Sequence, residues 1–367
     1  MTAQIRIAFD MTFPNRNPAG SGVYATELLG ELRRRADIAI ATAGAREGGG
    51  FPVTMNWLMN GARRAMAGAQ LVHCPAFVAP WRLGLPLVLT VHDTSTQKFP
   101  KDHSLKWRAY TRLFLAGRAR AAVCVITGTE YSRREIVRDL GVPAERVAVT
   151  PYGVAERFFG PSVPRTTAGK PPLLLFPGAP TRRKNLELVL MAMSSAPVGS
   201  RLGQARLAIS GAEADRFPHH RDRINALGLA SRVDWRGKVP AASMPDLIGT
   251  ADLVLYPSLH EGFGFPALEA MAAGTPVVAS NAACLPEVLG DGALLVDPSD
   301  VRAFTNAVEA VSGNEAMRRD LVEKGKARAG QFTWRRCADL TVEVYREAVA
   351  ARKHLIVGAD QAARGHS

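Results

Sequence analysis

Ala251-Asp252-Leu253-Val254-Leu255-Tyr256-Pro257-Ser258-Leu259-His260-Glu261-Gly262-Phe263-Gly264-Phe265-Pro266-Ala267-Leu268-Glu269-Ala270-Met271-Ala272-Ala273-Gly274-Thr275-Pro276-Val277-Val278-Ala279-Ser280 is the stretch that decides the fold. Its start, Ala251 to Tyr256, reads as a short buried strand. Gly262 and Gly264 give the loop after it backbone freedom. Pro266 suits the first turn of a helix, where its missing N–H costs nothing. Leu268, Met271 and Ala272 form an apolar helix face, Gly274 ends the helix, and Pro276 to Ser280 reads as a second buried strand. Strand, glycine loop, helix and strand in this order are a building unit of an α/β sheet.

The unit has chemical consequences. Its loop and first helical turn direct unpaired N–H groups at one point, and the helix dipole adds positive partial charge there, which suits a diphosphate. Two carboxylates stand eight residues apart, Glu261 on the loop and Glu269 on what reads as the first helical turn. Placed on two sides of a ligand, they accept hydrogen bonds from the paired hydroxyls of a sugar and a ribose. The same pattern also fits a plainer arrangement, with Glu269 complementing the dipole and Glu261 solvated.

The stretch resembles the E-x7-E signature of the retaining glycosyltransferases of family 4, and Ser280-Asn281-Ala282-Ala283-Cys284-Leu285-Pro286-Glu287-Val288-Leu289-Gly290-Asp291-Gly292 is similar to the same family. The resemblance implies an α/β protein of the GT-B fold: two facing Rossmann-like domains with parallel sheets, and a C-terminal helix crossing back to the first domain. It implies an acceptor-side domain over residues 1–165, joined by a helix at about 345–359, and a donor-binding domain over 171–344. Glu261 is then expected at the donor sugar and Glu269 at the ribose of the nucleotide. Gly262, Phe263, Gly264 and Phe265 are expected around the donor, with N–H groups near Gly264 and Phe265 facing its diphosphate.

Upstream, Leu173 to Gly178 reads as a buried strand that runs into Ala179-Pro180-Thr181-Arg182-Arg183-Lys184-Asn185-Leu186 and a helix. Three adjacent cations at a helix entrance suit a diphosphate, Lys as a point charge and Arg through paired donors. A solvated basic loop is the alternative. The resembled family binds donor phosphates with a Lys six residues after the strand-end Gly, which Lys184 matches after Gly178. Many members carry Arg directly after that Gly; here Ala179 stands there, and Arg183 is expected to replace it. Arg232 to Val239 reads as another strand, at the family's base-binding edge, so Val239 joins the expected donor residues.

In the first half, Gln4 to Asp10 reads as a strand and Tyr24 to Arg35 as a helix, with the glycine loop Asn15 to Val23 between. That loop is not G-x-G-x-x-G, and no acidic residue is placed to read a nicotinamide dinucleotide's ribose, which argues against an oxidoreductase. In the resembled family a glycine-rich loop here faces the donor, and Gly20 and Gly22 match it. Leu87 to Asp93 reads as a buried parallel strand carrying His92 and Asp93 at its C-terminal end, where ligands collect. A lone histidine there is also commonly a capped loop residue. The family's strand-then-His-Asp pattern puts His92 at the donor and acceptor pocket. Gly160 to Pro172 reads as the interdomain linker.

Composition narrows the class. The 367 residues are 47% hydrophobic and 22% charged, which fits a globular protein with two cores. No apolar run approaches the roughly 20 residues that cross a bilayer. The N-terminus lacks a signal-peptide layout. Cys74, Cys124, Cys284 and Cys337 show neither metal spacing nor a disulfide framework, so reduced thiols in a cytoplasmic protein are expected.

The formal charge is +13, and residues 1–165 hold 22 Lys and Arg against 12 Asp and Glu. A basic half suggests an anionic partner. Ser104 to Ala121 reads as one basic helix with Trp107, Tyr110 and Phe114 on one face and Arg108 and Arg112 beside it. Met55-Asn56-Trp57-Leu58-Met59 with Arg63 and Arg64 offers a second such segment. These suggest reversible docking on the anionic inner face of a membrane, against an alternative of core aromatics and solvated arginines.

The expected function is therefore a retaining, metal-independent hexosyltransferase with His92, Glu261, Arg183 and Lys184 at its centre. The sequence looks most like bacterial mannosyltransferases that use GDP-mannose, so the expected partners are that donor and a glycan or lipid-linked acceptor. No cofactor, no metal and no nucleic acid is expected. A UDP-sugar-dependent transferase and a non-catalytic sugar-nucleotide-binding protein are the alternatives.

Overall fold

Runs of three to six mostly buried residues build two all-parallel sheets of six strands each. The computed structural model describes residues 4–16, 20–43, 68–81, 83–160 and 170–364. The helix-like stretch expected at Met55 to Gly68 falls outside them up to residue 67, as do residues 161–169 of the expected linker.

The first unit comprises Met1–Thr96, His103–Gly153 and Thr333–Ser367. Its strands are β1 (Ile5–Asp10), β2 (Ile38–Ala43), β3 (Leu71–Cys74), β4 (Leu87–Thr90), β5 (Cys124–Thr127) and β6 (Val147–Val149), in the order β2-β1-β3-β4-β5-β6. Val72, Leu87, Leu89, Val125 and Ile136 centre its core. Helix α1 spans Gly20–Arg33, so Gly20 and Gly22 open the helix instead of lying in the loop before it. Ser21 and Gly22 are buried there, and burial favours the early start over the glycines' poor helix propensity.

The expected basic helix is present from its N-cap Ser104 to Ala121, with a π segment inside it. Leu105–Tyr110 and Ala116–Ala121 are α-helical, but Thr111–Leu115 forms a π turn. Thr111 Oγ1 donates toward the carbonyls of Trp107 and Arg108, at 3.0 and 3.1 Å, the kind of back-bonding that distorts a helix. The aromatic residues are part of the packing: Trp107 stacks on Phe13 and Tyr110, and Phe114 on Trp81. What this segment exposes instead is Leu105 (76%) and Leu113 (68%).

The long helix Trp334–Arg364 belongs to this first unit from its start, so residues 333–344, expected in the donor domain, do not sit there. It packs on α1, and its Tyr345 hydroxyl meets His73 Nδ1 at 2.6 Å. Arg346 pairs with Asp37 at 2.7 Å, and Asp339 with Arg35.

The second unit comprises Gln97–Asp102 and Val154–Phe332, which moves the boundary from residue 165 to 153. Its strands are β7 (Leu173–Phe176), β8 (Arg206–Ile209), β9 (Val233–Trp235), β10 (Leu253–Tyr256), β11 (Val277–Ser280) and β12 (Leu294–Val296), in the order β12-β11-β10-β7-β8-β9. Helix α2 (Leu186–Ser195) follows β7, α3 (Pro218–Ala226) follows β8, and α4 (Phe265–Ala272) follows β10. Leu174, Phe176, Val189, Leu207, Leu255 and Phe304 lie at the core, each such side chain contributing about 1.5–3 kcal/mol by leaving water. Strand β9 is shorter than expected, and Val239 lies in the loop beyond it. The strand order reverses between β7 and β10, and in open parallel sheets ligands collect outside the strand ends at such a point.

Candidate active site

The site is built from the loops that leave β7 and β10, side by side at the reversal. After β7 the chain turns at Gly178, whose φ of +104° is one that side-chain-bearing residues rarely adopt. A Cβ there would stand 3.7 Å from Lys184 Cε. Arg182–Lys184 then form a single 3₁₀ turn, with Lys184 N–H donating to Thr181 O at 2.9 Å. Asn185 closes it in the left-handed region, and its side-chain amide donates to the carbonyls of Pro257 and Pro298, at 3.2 and 3.0 Å. Leu259 N–H donates to Arg183 O at 2.8 Å, and Arg183 N–H to Asp102 at 2.9 Å. The cations therefore sit on a backbone held from three sides.

Glu261 lies between them, buried. Its Oε2 is 2.7 Å from Arg183 Nη1 and its Oε1 is 2.7 Å from Lys184 Nζ. Arg183 Nη1 also donates to the carbonyl of His260, and Lys184 Nζ to the Tyr256 hydroxyl, each at 2.7 Å. Lys184 Nζ stands 4.4 Å from the centre of the Tyr256 ring, a cation–π distance. Burial pushes the Glu261 carboxyl up, but the Arg183 and Lys184 charges outweigh it and hold the group at about 2. Burial pushes the Lys184 ammonium down, against the opposing charge of Glu261. Two cations to one carboxylate leave positive charge in a place where water does little to screen it.

Gly264 caps α4 at φ +94°, which favours glycine, and a Cβ there would also meet Leu285 Cδ2 at 2.8 Å, so that side chain would have to move. Gly262 and Phe263 are buried in the same loop, with Phe263 against Phe265 and Phe332 at ring distances of 5.1 and 5.7 Å. Glu269 is the fifth residue of α4, half-buried, and not in the first turn as expected. It lies about 6 Å along the axis from Phe265. That position removes the plain reading of Glu269 as a dipole complement, because the dipole's effect fades within the first turn. Val239 is half-buried in a loop tied to its neighbour by Gly211 N–H donating to Gly237 O at 2.7 Å.

In the first unit, His92 follows β4 with both ring nitrogens engaged. Nε2–H donates to Pro75 O at 3.1 Å, which leaves Nδ1 to accept from the Tyr152 hydroxyl at 2.8 Å. Burial pushes its pKa to about 4, so the ring is neutral near pH 7. It packs edge-on against Tyr24, Phe77 and Tyr152. Gly20 and Gly22 belong to the same unit, at the start of α1. Among the described residues no group of three His, Cys, Asp or Glu side chains is placed to hold a metal ion.

Residues 18–157 match the family description Glycosyltransferase Family 4, and residues 163–328 match Glycosyl transferases group 1. The O-antigen chain mannosyltransferase B of Escherichia coli is 32% identical over 292 residues, covering 75% of this chain and 74% of that protein. The chain belongs to glycosyltransferase family 4. This family 4 glycosyltransferase is also 31% identical to the MMP alpha-(1->4)-mannosyltransferase of Mycolicibacterium hassiacum, over 73% of this chain and 67% of that one. The solved sucrose-phosphate synthase of Thermosynechococcus elongatus superposes with a TM-score of 0.78 at 22% identity, over 95% and 100% of the two chains, which shows the GT-B fold.

Three features of the candidate site escaped sequence reasoning. Tyr256 was visible only as a strand residue, although its place at the end of β10 was a usable signal. His260 contributes a carbonyl, which no side-chain pattern betrays. Asp102 comes from 81 residues away along the chain, with no local mark. No described helix is long and apolar enough to cross a membrane.

Proposed function

We propose that this glycosyltransferase moves a mannosyl group from GDP-mannose to a hydroxyl of a glycan or lipid-linked acceptor, with retention of configuration. The observation that carries this reading is the buried Arg183–Glu261–Lys184 cluster at the reversal between β7 and β10. Its two cations are the right groups for a departing diphosphate, whose negative charge grows as the sugar leaves. Glu261, held ionised, accepts hydrogen bonds from the sugar hydroxyls. Glu269 takes the ribose hydroxyls one turn further along α4, and the loop at Val239 borders the base. His92 borders the sugar through its ring edge, being neutral and without a free nitrogen.

The anomeric carbon's bond to the phosphate oxygen breaks, and the acceptor oxygen forms its bond on the same face. The acceptor's proton passes to the leaving phosphate, so no covalent enzyme intermediate is needed. Arg183 and Lys184 supply the positive charge that a metal supplies elsewhere, and the reaction needs neither metal nor cofactor. Mannose is favoured because two relatives above 30% identity carry mannosyltransferase names. Nucleotide release from a panel of GDP- and UDP-sugars, with product anomers read by NMR, tests the proposal. Turnover of a UDP-sugar instead of GDP-mannose, or an inverted product, rejects it, as does activity lost with EDTA and restored by magnesium.

The exposed Leu105 and Leu113, beside the exposed Lys106, Arg108 and Arg112, favour a peripheral contact with anionic lipid. A lipid-linked acceptor would then be met where it resides.

A further inference from the structure

Next to the Arg183–Lys184 turn, the second unit holds a cavity of about 1000 Å³, the size of a small-molecule site. It is framed by residues 179–182, the start of α2, Gly211, Ala212 and the N-terminal part of α3, with Lys101 and Asp102 at its edge. None of Gly178, Arg183, Lys184, Val239, Glu261 and Glu269 lines it, so the donor reading leaves it unused.

Its lining is positively charged. Lys101, Arg182, Arg216 and Arg223 stand against Asp102 and Glu187. Both acids are engaged: Glu187 pairs with Arg223 at 2.8 Å, and Asp102 accepts from Arg183 N–H. No hydrogen bond or ion pair to a described residue holds the side chains of Lys101, Arg182 or Arg216. Two polar atoms in the wall are also buried without a partner, Thr181 Oγ1 and His220 Nδ1. His220 Nε2 lies 2.8 Å from Pro180 O, so the proton sits there, and the neutral ring leaves Nδ1 as a bare acceptor. An acceptor of this kind calls for a hydroxyl. Phe217, stacked near His220, adds a flat apolar wall.

We propose that this cavity is a second ligand site that takes a small phosphorylated sugar or polyol. The phosphate meets Lys101, Arg182 and Arg216, and hydroxyls meet His220 Nδ1 and Thr181 Oγ1. Such a ligand comes to the enzyme either as an acceptor presenting its phosphate or as a free regulator.

Calorimetry on the full chain with saturating GDP tests the site, with mannose 6-phosphate, mannose and inorganic phosphate as probes. Mannose 6-phosphate should bind more tightly than inorganic phosphate, and mannose not at all. The Lys101→Ala/Arg216→Ala variant, both exposed positions, should weaken the phosphate probes at least ten-fold and leave GDP binding unchanged. His220→Ala should weaken mannose 6-phosphate several-fold without affecting inorganic phosphate. Absence of phosphate binding, binding abolished by GDP, equal binding of mannose, or full affinity in the double variant overturns the proposal. Mass spectrometry after turnover separates the sources: a glycosylated probe marks an acceptor and an unchanged probe a regulator, each consistent with the site.

Discussion

The ammonium of Lys184 rests 2.7 Å from the carboxylate of Glu261, with both groups withdrawn from solvent. On the proposed reading, a donor phosphate reaching Lys184 shares this cation with a carboxylate, which would tie one contact to both stability and turnover.

Removing Lys184 takes away one of the two cations that compensate buried Glu261 and leaves Arg183 as its ion-pair partner, so the cost falls below the ~3–5 kcal/mol of a fully uncompensated buried charge. Lys184→Met should therefore lower the unfolding midpoint as well as abolish turnover. Lys184→Met/Glu261→Gln should lose less stability than the sum of the two single variants, since Glu261 also serves Arg183, while remaining inactive. Additive losses in thermal unfolding would show that the two groups are not coupled.

Glu269 stands one turn beyond the N-terminus of α4, half-buried. If it holds the ribose, Glu269→Ala should cost about 1.5–3 kcal/mol in affinity for GDP, the range for hydrogen bonds to a charged group. Titration calorimetry on the folded variant decides this, and an unchanged affinity takes Glu269 out of the site.

Asp10 gives a pH signature in the first unit. Burial pushes its carboxyl from 3.8 to about 7, against hydrogen bonds from the Thr12 amide and hydroxyl at 2.9 and 2.6 Å. Between those values the unfolded chain has released a proton that the folded chain still holds, so stability falls as pH rises through this window. Asp10→Asn keeps the bonds to Thr12 and removes the ionisation. At about 1.4 kcal/mol per pH unit, it should stabilise the protein by about 2–4 kcal/mol more at pH 8 than at pH 4. Melting curves showing the same shift at both pH values would contradict this. Glu261, held at about 2, acts in the opposite sense: its stabilising contribution is present above its ordinary value of 4.5 and is lost as pH falls toward 2.

What the sequence made legible is tied to local pattern. The 251–280 unit was readable because buried parallel strands are apolar runs, and because Gly264 supplies a positive φ and Pro266 suits the first turn where the chain enters α4. Lys184 and Glu261 were readable as neighbours of strand ends, but not as partners of each other, since that depends on β7 lying beside β10. Glu269 was placed one turn too early because helix starts carry no sharper mark than a capping residue. The π segment at Thr111–Leu115 coincides with a side-chain hydroxyl that bonds the carbonyls of Trp107 and Arg108, which no sequence pattern marks. The cavity at Phe217 and His220 joins segments that are more than a hundred residues apart and lack a shared motif.

The last prediction concerns the segment around that π turn. Trp107, Tyr110 and Phe114 are spent in packing, so this described segment offers no aromatic wedge into lipid, and the second aromatic-basic segment at Met55 to Arg64 lies outside the described residues. Leu105 and Leu113 are exposed instead, on a stretch that also exposes Lys106, Arg108 and Arg112. Each cation near an anionic surface contributes about 1 kcal/mol, and two inserted leucines add an apolar anchor. Co-sedimentation should show binding to vesicles containing phosphatidylglycerol and none to phosphatidylcholine alone, weakening as salt rises. Arg108→Ala/Arg112→Ala should reduce it roughly ten-fold or more, and Leu105→Ser/Leu113→Ser should reduce it at low salt too, where charge alone would suffice. Binding that ignores the leucines would make the contact purely electrostatic, and no binding at low salt would leave the two leucines without a lipid role.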